Sequence, residues 1–72
     1  MYKLVIIDDE PLIREGLKSV VERLCANWVV AGTADSAESG LECIRRENPD
    51  AAIVDVRMDG LSGLQMIEMA NA

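Results

Sequence analysis

Wholly apolar runs alternate with helically spaced apolar residues along this chain, and that alternation predicts its elements. Leu4-Val5-Ile6-Ile7, entered from Lys3, is apolar at every position. Such a run reads as a strand buried on both faces, as in a parallel sheet. From Pro11 the period changes. Leu12, Ile13, Leu17, Val20, Val21, Leu24 and Cys25 recur at helical spacing, with Pro11 suited to the first helical position and Asp9 or Glu10 to the cap. Arg14, Lys18, Glu22 and Arg23 fall largely off that stripe and are expected in solvent. Asn27 breaks the helix, and residues 28–34 read as a second strand. Asp35-Ser36-Ala37-Glu38 is a capping-box pattern that starts a second helix. Ala37, Leu41 and Ile44 mark its apolar face, Gly40 allows close packing, and Asn48-Pro49-Asp50 ends it. Residues 51–55 form a third strand, Asp59-Gly60 carries turn chemistry, and Ser62-Gly63-Leu64-Gln65 starts a third helix with Leu64 and Ile67 on its buried side.

The resulting order, βαβαβα, is that of an α/β domain. Right-handed crossovers make its sheet parallel and set helices on both faces. The first strand is the most apolar and is expected at the centre. Both of its neighbours then open their carboxyl ends on the same edge as it does. The first strand ends in Asp8-Asp9 and the third in Asp55, so three carboxylates can converge in the crevice where open α/β sheets bind ligands. Close carboxylates repel, and a cation is the natural way to hold them. A set of oxygen ligands favours Mg²⁺, which retains waters and pairs with phosphate oxygens. The pattern points to Mg²⁺-dependent phosphate chemistry on an aspartate.

Composition narrows the classes. Seventy-two residues make one small domain, which buries only roughly 60% of the surface its unfolded chain exposes. Half of the residues are hydrophobic, which argues against disorder. A net charge of −6 argues against nucleic-acid binding by this chain itself. No apolar run approaches the ~20 residues of a membrane span, no signal-peptide pattern precedes the first strand, and a cytoplasmic location is expected. Cys25 and Cys43 sit inside helical patterns and read as reduced, packed thiols. Trp28 reads as a packing anchor.

The acidic pair, the strand-end aspartate and the loop Val56-Arg57-Met58-Asp59-Gly60-Leu61-Ser62-Gly63 together resemble the receiver domain of bacterial two-component response regulators. The resemblance runs the length of the chain and covers the first three βα units of such a domain, residues 1–72 being a partial receiver without its last two units. It implies a truncated flavodoxin-like (CheY-like), doubly wound parallel sheet with strand order 2-1-3. It also implies phosphoryl transfer from a sensor histidine kinase to Asp55, the phosphoacceptor. Mg²⁺ would be held by Asp8, Asp9, Asp55 and the backbone carbonyl of Arg57, beside a loop formed by Met58, Asp59 and Gly60. Asp59 stands where many relatives have proline. The hydroxyl and lysine residues that relatives carry after later strands have no counterpart in these residues. By the same resemblance the chain is a signalling domain rather than an enzyme, and any DNA contact belongs to an output domain outside it.

Two rivals come from other classes. A receiver portion unable to accept phosphate could serve as a self-associating interaction module. An Mg²⁺-dependent phosphohydrolase would want a second acid two residues after its nucleophile, where this chain has Arg57. In the family's strand order, residues 51–55 form an apolar edge without lysine or proline, and such edges invite pairing. A homodimer joined there, or through uncovered sheet faces, is therefore expected.

Overall fold

The computed structural model describes residues 1–55 and, by its backbone, Leu64–Glu68. Its elements are β1 (Tyr2–Ile7), α1 (Pro11–Leu24), β2 (Trp28–Ala34), α2 (Ala37–Glu47), β3 (Ala51–Asp55) and β4 (Leu64–Glu68). The sheet order is β2-β1-β3-β4. β1 lies between β2 and β3 and is parallel to both, as the apolar run and the 2-1-3 order predict. Leu4 pairs with Val30 and Val5 with Gly32, so Ala31 is an extra residue that bulges β2.

Strand alternation divides the core in two. On one face, Leu4, Ile6 and Ala51 pack with Val21 of α1, and Leu17, Cys25, Trp28, Val30 and Ile53 surround them. On the other, Val5, Ile7, Ala34 and Ala52 pack with Cys43 of α2, flanked by Ile44 and Val54. Trp28 anchors the amino-terminal end of the sheet against Tyr2, the ring centroids 5.2 Å apart. At that end Lys3 and Asp50 are tied twice, once through the Asp50 side chain and once backbone to backbone. The Lys3 N–H donates to Asp50 Oδ2 and the Asp50 N–H to the Lys3 carbonyl, each at 2.8 Å.

The helix ends follow local chemistry, with one shift from expectation. Pro11 begins α1 after Glu10, whose side chain makes no capping bond. At α2 the capping box is formed by Ser36 and Ser39 rather than by Asp35 and Glu38. The Ser36 hydroxyl accepts from the Ser39 N–H, and the Ser39 hydroxyl accepts from the Ser36 N–H, both at 3.2 Å. Asn48, left-handed at φ 48°, closes α2, a conformation that asparagine tolerates better than most residues.

The third helix expected from Ser62 onward is not what Leu64–Glu68 forms. These residues make β4, antiparallel to β3, with Ala51 opposite Glu68 and Asp55 opposite Leu64. A helix of about two turns is nucleated poorly in isolation, whereas pairing satisfies the outward backbone groups of β3 at once. The β3 edge expected to meet a second chain is thus occupied from within this one. Ser62 and Met69 lie outside the described residues.

Candidate metal and phosphoacceptor site

Parallel register assembles the acids. Ile7 stands opposite Val54, so the next residues, Asp8 and Asp55, reach the carboxyl edge at the same level. Alternation from Leu4 and Ile6, and from Ala51 and Ile53, puts both on the face that α1 covers. Asp8 is 0% exposed and Asp55 1%, whereas Asp9, one residue further and past the strand, is exposed. One carboxylate oxygen from each of the three lies within 4.8 Å of the other two.

The β1–α1 connection is held from several sides. The Asp8 N–H donates to the Ala34 carbonyl at 3.0 Å, which extends the β1–β2 pairing by one residue. Asp8 Oδ1 accepts from the Glu10 N–H at 2.8 Å, an Asx-type turn that bends the chain into α1. Arg14 Nη1 donates to the Asp8 carbonyl at 2.9 Å. The off-stripe position of Arg14 predicts a solvated side chain, but Arg14 is half-buried and acts on the site loop. It also walls a cleft of about 280 Å³ with Thr33, Ala34, Asp35 and Ser39. Its place one turn into a helix that starts beside an acidic pair was the signal in the sequence. Apolar periodicity ranks such a residue only by what it is not.

The donor set suits Mg²⁺. Two oxygens bound to one Mg²⁺ at about 2.1 Å stand at most about 4.2 Å apart. A spread of up to 4.8 Å therefore fits a set in which some carboxylates bind directly and others through a retained water. Of the residues the sequence assigns to the site, the fold brings together Asp8, Asp9 and Asp55. Arg57, Met58, Asp59 and Gly60 lie outside the described residues. Among the described residues, no helix is long and apolar enough to cross a membrane.

Comparison with known proteins agrees with this architecture. The chain is similar to the protein-glutamate methylesterase/protein-glutamine glutaminase 1 of Oleidesulfovibrio alaskensis, at 43% identity over 96% of this chain and 19% of that protein. It is 39% identical to a nitrate/nitrite response regulator protein homolog of Haemophilus influenzae, over 92% of this chain and 31% of the relative. It is 40% identical to the transcriptional regulatory protein MctR of Rhizobium johnstonii, over 93% and 31% respectively. The chain thus spans about a fifth to a third of the length of these relatives. No solved structure matches it significantly. The family model described as the response regulator receiver domain matches residues 4–71, and with three parallel strands in order 2-1-3 and an acidic cluster at their carboxyl edge, the chain belongs to the receiver-domain family of response regulators.

Proposed function

We propose that this chain is the phosphoacceptor portion of a two-component response regulator, cytoplasmic, with Asp55 accepting a phosphoryl group from the phosphohistidine of a sensor kinase. The observation that carries the reading is the convergence of Asp8, Asp9 and Asp55 within 4.8 Å at the carboxyl edge of the sheet. Asp8 and Asp9, with Asp55 and the backbone carbonyl of Arg57, would hold Mg²⁺. The ion supplies charge neutralisation for the incoming phosphoryl oxygens. Asp55 supplies the nucleophile: a carboxylate oxygen forms the O–P bond as the P–N bond to the donor imidazole breaks and the imidazole leaves. Its burial at the end of β3 fixes the attacking oxygen, which substitutes positioning for intrinsic nucleophilicity. Met58, Asp59 and Gly60 would shape the loop next to the phosphoacceptor.

The partners on this reading are a sensor kinase and an output domain outside residues 1–72. Two of the relatives are regulators by name, and DNA contact belongs to such an output domain, since this chain carries a net charge of −6. Similarity to the methylesterase covers 19% of that protein and carries none of its activity here. The chain acts as a signalling domain.

Incubation with radiolabelled acetyl phosphate and Mg²⁺ tests the reading. Acid-stable, base-labile label is expected on the wild type, slow to form without the hydroxyl and lysine partners, lost with EDTA and lost in Asp55→Asn. Label retained in Asp55→Asn, or indifferent to EDTA, overturns it.

A further inference from the structure

We infer that Arg14 is a positioning residue of the acidic site, acting by pinning the Asp8–Asp9 peptide. Arg14 Nη1 donates to the Asp8 carbonyl, six residues back along the chain, at 2.9 Å. That carbonyl follows the last β1 pairing, and the helical ladder begins only two residues later, with the Arg14 N–H donating to the Glu10 carbonyl. The peptide joining the two acids is therefore outside both regular elements. Its carbonyl is held by the guanidinium, and the Glu10 N–H on Asp8 Oδ1 closes the turn that contains it. Asp8 is buried, and its N–H is held by the Ala34 carbonyl. Asp9 is exposed, and its direction depends on the plane of that peptide. With Arg14 in place, the Asp9 carboxylate stays within 4.8 Å of Asp8 and Asp55.

Two physical roles of Arg14 have opposite signs. As a charge, the guanidinium repels a divalent cation nearby, so its removal would tighten Mg²⁺ binding. As a clamp, it keeps Asp9 in the ligand set, so its removal would weaken binding. Groups that orient metal ligands typically carry 10–100-fold in affinity, and a donor at 2.9 Å to a backbone carbonyl belongs to that kind. The positioning role is the one the geometry supports, since the guanidinium is bonded to the peptide rather than to a carboxylate.

The metal half of this inference rests on the proposed Mg²⁺ site; the loop half does not. Calorimetric Mg²⁺ titration of the wild type, Arg14→Ala and Arg14→Lys is paired with amide exchange of Glu10 followed by NMR. Arg14→Ala is expected to weaken Mg²⁺ binding about tenfold and to speed Glu10 exchange about tenfold, with the β1 and β3 amides unchanged. Arg14→Lys, which retains one donor, is expected to restore part of both. Arg14→Ala that tightens Mg²⁺ binding or leaves Glu10 exchange unaltered overturns the inference. If the wild type binds no Mg²⁺, the metal reading fails by itself, and Glu10 exchange decides the role of Arg14.

Discussion

α2 and α1 cover opposite faces of one sheet, yet they meet it differently. α2 buries Gly40 and Cys43. A Cβ placed on Gly40 would lie 2.5 Å from Ile7 Cδ1, and one on Gly32 would lie 2.5 Å from Cys43 Sγ. Absent side chains at these two positions let the helix and the bulged strand approach closely. Along α1, Val21 is the buried residue, and Gly16 faces open space, with nothing within 4 Å of a Cβ there. Leu12 and Leu24 on α1 are 86% and 78% exposed. An apolar groove of about 160 Å³, lined by Leu4, Val21, Cys25, Trp28 and Ile53, opens beside α1. The lesson is that a stripe of apolar residues and a contact surface are different things. Leu17, Val21 and Cys25, spaced by four, form the contact line, while the wider stripe extends beyond it. The more loosely covered face is also the one that carries Asp8 and Asp55. There α1 contributes more through Arg14 at its start than through burial along its length.

The contrast can be broken most severely at the tight face. Gly40→Val should destabilise the chain by about 3 kcal/mol, because Ile7 cannot yield without disturbing β1. The urea midpoint, at unchanged slope, measures this. Next in size, Gly32→Ala should cost about 2 kcal/mol through its clash with Cys43. Combined with Cys43→Ala, it should cost at least about 1 kcal/mol less than the sum of the two single changes, because the clashing sulfur is gone. A double-mutant cycle of urea midpoints checks this. The smallest effect is expected on the loose face and has the opposite sign. Gly16→Ala should stabilise by about 0.5–1 kcal/mol, since the new methyl meets no neighbour and the unfolded chain loses entropy. Thermal unfolding would read it as a rise in midpoint. Equal costs at Gly40 and Gly16 would erase the distinction between the faces.

Legibility in the sequence followed the same division. The strands read at 3–7, 28–34 and 51–55 match β1, β2 and β3, with Tyr2 added to β1, because largely apolar runs have few other uses in a short chain. The close packing at Gly40 could be read because its spacing from Ala37, Leu41 and Ile44 puts it on the apolar face of α2. The exposure of Leu12 and Leu24 could not, since periodicity gives a face and not its partner. The capping pattern Asp35–Glu38 lies one residue before the box that forms, because Asp35 and Ser36 both cap well and backbone geometry selects Ser36.

The candidate site divides in the same way. The sequence by itself determined that Asp8, Asp9 and Asp55 would share one edge. Parallel strands with right-handed crossovers leave acids at strand ends no other place. Tertiary structure alone decided three further points: that Asp8 and Asp55 are buried while Asp9 is not, that Arg14 turns inward to the Asp8 carbonyl, and that residues 64–68 pair antiparallel with β3 instead of forming a helix. Each of these depends on groups distant in sequence competing for the same hydrogen bonds or the same space. Local periodicity carries no information about that competition, because it records which residues prefer to leave water and not which neighbours they find there.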